Sequence, residues 1–556
     1  MRVRGIYRVL FGSAIGLSGM VLAAPVSPLT AGASSTVTVY APATLGVVSP
    51  TTGPTAAAPG QTVTHSPRGA HELPGITANA HAASAVDGAA GAAPTVASSV
   101  LENFNGTSSN DSRKTNFNQE FEPPDQGLCV GNGYVMEPVN SAYRIFKTNG
   151  KTLDGPINVN DLFDQGATQF TSDPRCYYDP TTNTWFATIL FLSGGENPDG
   201  KSSQLDIAVN SSGNPENIWT QYEVNTTDVG GNGCPCFGDQ PTLGIDQDNL
   251  YVTTNEFSIL GPQFNGAQVF AFSKKDLVGG VPAHFARFSH LQIGGTHASS
   301  VQPAITTGTP NAEFFLSTQD SQAGDKDAPN GGVGSQIGVW AMTNRTALQH
   351  GHSPVLSSTL ITSETYGQPP PAAQKGATST IDSGDDRMQQ TQYIQGTIWG
   401  ENTTSVTVGN DPTVRAGAAW FSVHPTLSGN HIGASVIQHQ GYEVLAGNNV
   451  IYPAVQALPS GNAAMVFTVT GPDHFPSAAY AVLGAGGSSF GAIDITANGT
   501  GPYALASTRW GDYSWAVIDP SDTSVWLATE YVPPLSSQTP DRLSNWGTRV
   551  FEVAFG

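Results

Sequence analysis

The chain is 556 residues long and only 12% charged, with 22 Lys plus Arg against 43 Asp plus Glu and a formal net charge of −21. So acidic a surface repels phosphate backbones and anionic headgroups, which argues against nucleic acid and against an anionic membrane as partners. The length suits roughly two to four average domains, or one large all-β domain with extensions.

Arg2, Arg4 and Arg8 precede the apolar run from Leu10 to Ala24. That run is ~15 residues, short of the ~20 a spanning helix needs, and reads as a signal peptide. Small residues place cleavage between 23 and 33, so 1–33 is assigned as the signal peptide. No other stretch is long and apolar enough to span a bilayer, and a secreted, extracellular monomer is expected. Residues 34–100 are dominated by Ala, Thr, Ser, Pro, Gly and Val without a sustained period. They cannot bury enough apolar area to offset the entropy of ordering, so a low-complexity disordered spacer or pro-segment is expected, or a surface tether.

From 101 to 556 one pattern recurs: a polar start, a strand, an Asp-containing turn and a second strand. Copies begin at Asp125, Asp173, Asp239, Gln302, Gln389, Tyr452 and Asp512. The clearest run Phe237–Ile245, Asn249–Phe257 shows period-2 apolar positions on either side of a turn, the hairpin signal. From Asp125 to Asp512 six steps cover 387 positions, about 64 each, against ~40–50 in familiar propeller repeats, with the surplus in polar loops. Short strands repeating at such a period point to an all-β fold, a β-propeller of seven four-stranded blades. Outer strands are expected at Leu205–Val209, Gln268–Ser273, Ile337–Met342, Ala418–Val423, Ala478–Val482 and Val550–Ala554. The seventh repeat supplies three strands, so a segment near Val100-Leu101-Glu102-Asn103-Phe104 is expected to return as its fourth. Gln319 to Gln336 and Gln368 to Asp386 are too polar and turn-rich for core, and long loops on a rigid scaffold are where binding residues sit.

Four cysteines in an exported chain imply disulfides. Cys129 and Cys176 fall just inside the first strands of repeats one and two, and Cys234-Pro235-Cys236 precedes that of repeat three. Three connectivities exist. A bond between Cys234 and Cys236 is expected to be strained, which favours links between blades. The alternative is a soft-metal thiolate site.

The repeat starts supply the candidate chemistry. Asp125, Asp173, Asp239, Gln240, Gln302, Gln389 and Asp512 should converge on one face, with Arg175, Arg387 and Arg509 nearby. Carboxyls held close push one pKa up and leave another ionised, the condition for acid–base or nucleophilic work on a glycosidic bond. Arginine forks suit a carboxylated sugar. The competing reading makes each Asp a cap of its own turn, and Asp179, Asp246 and Asp519 in the hairpin turns are read as caps outright. Trp185, Tyr251 and Trp526 match one another and read as blade packing. Glu137, Glu256 and Glu530 end second strands, as braces, calcium ligands or catalytic acids alike. No cofactor is expected; calcium is the one ion considered. It needs six to eight oxygens, and Asp382, Asp385 and Asp386 are the nearest approach. No H-E-x-x-H, G-x-S-x-G or phosphate-loop motif occurs.

Ser172-Asp173-Pro174-Arg175-Cys176-Tyr177-Tyr178-Asp179-Pro180, Phe237–Asp246 and Arg509–Pro520 resemble first strands of sialidase-like (BNR-type) propellers, and more closely those of secreted bacterial propeller proteins. The resemblance covers Phe121 to the C-terminus and implies binding to, or action on, acidic sugars at the axial face. It departs from the family in lacking the S-x-D-x-G-x-T-W box. Arg175, Arg387, Arg509, Tyr513 and Asp512 match in type the arginine triad, tyrosine nucleophile and acid, with no motif fixing the correspondence. Two functions follow. One is a non-catalytic propeller binding a glycan or an extracellular protein. The other is a glycosidase or polysaccharide lyase with Asp239 and Asp512 as acid or base and Tyr513 beside them.

Overall fold

The computed structural model describes residues 96–117, 121–193, 202–228, 234–259, 263–319, 333–503, 509–534 and 545–556, with two short strands at 46–48 and 83–85. The expected signal peptide lies outside the described residues, as does most of the expected spacer. Gly46–Val48 adds antiparallel to Trp219–Asn225, and Ala83–Ala85 adds parallel to Thr397–Val408.

The fold is all-β, as expected. Each repeat is an antiparallel meander whose strands pair in chain order. The first runs Cys129–Gly131, Tyr134–Val139, Ala142–Lys147, Thr152–Asn158. The second runs Phe170–Asp179, Thr184–Leu192, Ser203–Asn210, Trp219–Asn225, and the third Cys236–Ile245, Asn249–Ser258, Phe264–Ser273, Phe285–Phe288. The fourth is Gln302–Thr306, Glu313–Thr318, Val333–Thr343, Val355–Gly367, and the fifth Thr391–Ile394, Thr397–Val408, Asp411–His424, Val436–Glu443. The sixth is Asn449–Ala457, Ala463–Thr470, Ser477–Leu483, Asp494–Ala497. The seventh has Trp515–Ile518, Ser524–Tyr531 and Gly547–Phe555, and its outer partner is Ser98–Ser108 from the other end of the chain. All six segments expected as outer strands fall within strands, each the third of its unit.

First strands neighbour one another in chain order, and the seventh, Trp515–Ile518, lies against the first, Cys129–Gly131. Two of these contacts are parallel pairings, Ile245 with Ile305 and Ala304 with Thr391. Core forms between the faces of successive sheets. Met136 and Ile145 pack with Trp185 and Ala208; Leu316 and Val339 with Ile398 and Phe421; Val466 and Phe467 with Leu527 and Phe551. Burying a side chain of this size contributes roughly 1.5–3 kcal/mol, so the seams between successive sheets carry much of the stability. Among the described residues helices are short, Ser109–Thr115 being one of seven residues.

The hairpin turns behave as read. Asp179 accepts the Thr181 N–H at 3.0 Å, Asp246 those of Asp248 and Asn249 at 2.7 and 2.8 Å, and Asp519 that of Ser521 at 2.9 Å. The aromatic residues that open the second strands are buried, and two of them reach back to these caps: Tyr251 Oη donates to Asp246 at 2.8 Å and Trp526 Nε1 to Asp519 at 3.0 Å.

The disulfides differ from expectation. Cys129–Cys176 does link two units, with Cα atoms 5.5 Å apart. Cys234 and Cys236 pair with each other, because the backbone doubles back at Pro235 and brings their Cα atoms to 4.5 Å, inside the bonding range. With all four cysteines in disulfides, no free cysteine remains for a metal. The proline-rich loop also departs from expectation: Ala372 and Ile381 pair across it and are fully buried against Tyr452 and Trp510.

Candidate functional site

A pocket opens where the starts of the first strands converge. It is lined by Asp125, Asp173, Asp239, Gln240, Arg387, Arg509 and Asp512, seven of the predicted residues, with Glu122, Asn140, Phe121, Phe170 and Phe237 among the others. Asp125 and Asp173 form a buried floor, while Asp239, Asp512, Arg387 and Arg509 are half-buried around it.

A shared backbone device brings these side chains together. Asp125, Asp173, Gln240, Ser300 and Tyr452 all have positive φ, between 42° and 58°. Left-handed backbone is uncommon outside glycine, and in three units it accompanies a bulge, at Ser172/Arg175, Asp239/Thr242 and Ile451/Ala454. Such bulges re-aim a side chain out of the ladder. The bulges also correct the repeat alignment: Asp173 matches Gln240, and Asp239 matches Ser172, one residue off the sequence pairing. Both neighbours reach the pocket regardless.

Two asparagines that the sequence reading passed over hold the device in place. Asn140, just after a second strand, donates through Nδ2 to Asp125 Oδ2 at 2.8 Å and accepts the Asp173 N–H at 2.8 Å. Asn255 repeats this two units on, donating to Gln240 Oε1 at 3.3 Å and accepting the Ser300 N–H at 2.8 Å. Thr403 Oγ1 takes the Tyr452 N–H at 3.0 Å in the same manner. The turn back to the floor comes from the seventh unit, whose Asp512 N–H donates to Asp125 Oδ1 at 2.7 Å.

Asp125 and Asp173 are tied together through Asn140, which bonds the carboxylate of one and the backbone N–H of the other. Burial, then repulsion from Asp512 and Asp173, holds Asp125 well above the usual carboxylate range, with Arg509 opposing. Burial and the Asp239 charge push Asp173 up to about 6. Burial likewise raises Asp239 to about 6 against the pull of Arg387. Buried carboxyls that feel one another's charge hold protons more tightly than free ones, the condition for acid–base work. The arginines are already engaged. Arg387 donates to Gln240 and through Nε to Asp385 Oδ1 at 2.6 Å, and Arg509 stands 3.2 Å from Asp512 Oδ2.

The remaining predicted residues lie elsewhere. Arg175 is fully buried below, its guanidinium 3.4 Å from the Tyr513 ring and donating to the Gln126 carbonyl at 3.0 Å. Tyr513 is buried with it. Gln302 donates to the Met388 carbonyl at 2.9 Å, reaching the start of the next unit, and the Gln389 N–H donates to the Glu401 carbonyl of its own unit's second strand at 2.9 Å. Glu137, Glu256 and Glu530 are fully buried braces. Glu137 Oε2 accepts the Thr107 N–H and Glu530 Oε2 the Gly511 N–H, each at 2.6 Å. A Cβ at Gly511 would stand 1.6 Å from Glu530 Oε1, so only glycine lets the strand come this close. Asp382 and Asp385 serve their own loop, through the Gly384 N–H and Arg387. Among the described residues no cluster of His, Cys, Asp and Glu could hold a metal ion, and no helix is long and apolar enough to cross a membrane.

No family model matches the chain, and no curated protein matches it. Solved structures similar to it include a Dyadobacter fermentans protein of unknown function (11% identity, 83% of this chain and 99% of that one, TM-score 0.31). An exo-β-1,3-galactanase from Clostridium thermocellum is similar at 9% identity, 82% and 99% coverage and TM-score 0.30. The phage phi92 endosialidase is similar at 9% identity, 78% and 67% coverage and TM-score 0.32. Likenesses this slight carry no weight for function, which rests on the residues of the pocket.

Proposed function

We propose that the seven meanders close into one seven-bladed β-propeller, exported from the cell, whose pocket binds a glycan. Closure is supported by the cyclic order of the first strands and by the pairing of Ser98–Ser108 with Gly547–Phe555. Two disulfides suit an oxidising compartment. The observation that carries the binding reading is the pocket itself. Asp125, Asp173, Asp239 and Asp512 stand beside Arg387 and Arg509, with Phe121, Phe170 and Phe237 in the same wall. Sugars need that mixture: acceptors and donors for hydroxyls, and aromatic faces for C–H surfaces. Because both arginines already serve carboxylates, the pocket favours a neutral glycan over an acidic one, whose carboxylate would have to displace Asp385 or Asp512.

A second reading is glycoside hydrolysis. Asp125 and Asp173 on the pocket floor favour it, since burial raises both carboxyls, the condition under which one carboxyl can act as acid and another as base. One experiment separates the readings. The full chain is applied to neutral and acidic glycan arrays at pH 5, and soluble versions of the hits are searched by mass spectrometry for shortened or unsaturated fragments. Retention without fragments supports binding, fragments establish the enzyme, and silence from folded protein overturns both.

A further inference from the structure

We propose that Cys234–Cys236 is an exchangeable disulfide, a site that oxidises low-molecular-weight thiols, with Cys234 the sulfur attacked and Cys236 the sulfur that leaves. The two disulfides of the chain are built for different purposes. Both sulfurs of Cys129–Cys176 belong to fully buried residues packed among Met136, Tyr178 and Trp185, where a thiol has no approach. That bond closes 47 residues of sequence and ties two units together. Cys234–Cys236 spans a separation of 2, and so short a loop hardly restricts the unfolded chain. Stability gives little reason for it.

Its surroundings give another. Cys234 is partly exposed, whereas Cys236 is fully buried. Asn265, itself 5% exposed, directs Nδ2 at both sulfurs, 2.9 Å from Cys236 Sγ and 3.4 Å from Cys234 Sγ. A donor held on the leaving sulfur stabilises the thiolate that forms there, and a lower leaving-group pKa speeds exchange. The backbone of Cys236 is clamped to Asp228, N–H to carbonyl in both directions at 2.7 and 3.1 Å. The released thiolate therefore stays within reach for re-closure.

The electrons balance with two thiols. A thiolate RS⁻ attacks Cys234 Sγ; the S–S bond breaks, a mixed disulfide forms on Cys234, and Cys236 leaves as a thiolate. A second RS⁻ attacks the R sulfur, releasing RSSR and the Cys234 thiolate. Two RSH are oxidised, the protein disulfide gains two electrons, and the two protons end on Cys234 and Cys236.

The test exposes the native full chain to a few millimolar glutathione, quenches with acid, alkylates with iodoacetamide and maps the peptides by mass. The expected result is a glutathione adduct on Cys234 and alkylation confined to Cys234 and Cys236, with Cys129–Cys176 intact. Asn265→Ala should slow opening about tenfold, the weight of one hydrogen bond to a charged group. Asn265→Asp, which sets a carboxylate against the thiolate, should slow it as well and serves if the first variant fails to fold. Opening of both disulfides together, opening only in denaturant, an adduct on Cys236, or unchanged rates in the folded variants would each overturn the proposal.

Discussion

Glu137 offers a direct test of how the interior of the fold is charged. Burial pushes its carboxyl from 4.5 up to about 7, while hydrogen bonds from Thr548 and Thr107 and the charge of Arg144 pull the other way. The native state therefore keeps a proton that the unfolded chain gives up near 4.5. Its contribution is present in full below about pH 4.5 and is lost as pH rises through about 7. At about 1.4 kcal/mol per pH unit the loss is on the order of 3 kcal/mol. Glu137→Gln keeps an acceptor for the Thr107 N–H and removes the proton. In thermal melts the parent should lose several degrees between pH 5 and pH 8 relative to the variant, with the two nearly equal at pH 5. Parallel melting curves across that range would refute the reasoning. Glu256, Glu443 and Asp206, each raised to about 8 by burial, add to the parent's slope in the same direction. Together they predict a fold more stable at pH 5 than at pH 8.

Other perturbations have sharper expected outcomes. Replacing Cys129 and Cys176 together by Ser should cost ~4 kcal/mol in urea unfolding, the loop-closure value for 47 residues. Lys274→Met leaves Asp179 buried without the cation that stands 2.9 Å away, and should cost about 3–5 kcal/mol by the same assay. Asn140→Ala removes a group that bonds Asp125 and Asp173 at once; about 2–3 kcal/mol should be lost, with weakened ligand retention.

Much of the fold was legible because its rules are local. Alternating apolar positions and Asp-capped turns mark each hairpin, and Asp179, Asp246 and Asp519 do what their turns require. The outlying strand near Val100 was readable from a missing fourth partner alone. The pocket was legible in outline, since seven predicted residues line it. What escaped was set by tertiary geometry. A bulge shifts the third unit by one residue, so Gln240 rather than Asp239 occupies the left-handed position. Arg175 and Gln302 look like ligand contacts by type and spacing, but one is stacked under Tyr513 and the other spent on a carbonyl. Asn140 and Asn255 act between units, and no short pattern announces a contact whose partner lies in the next repeat. Cys234 and Cys236 seemed too close to pair until the chain was seen to fold back between them.

The claim at the centre of this account is that the pocket recognises a glycan through its carboxyl floor and arginine rim. Isothermal titration calorimetry of the full chain with the best neutral glycan from the array tests it most directly, run beside Asp173→Asn and Arg387→Ala. The account predicts saturable binding by the parent and a loss of at least about tenfold in each folded variant, the weight of one hydrogen bond to a charged group. Equal affinity in all three proteins would place the ligand elsewhere and contradict it.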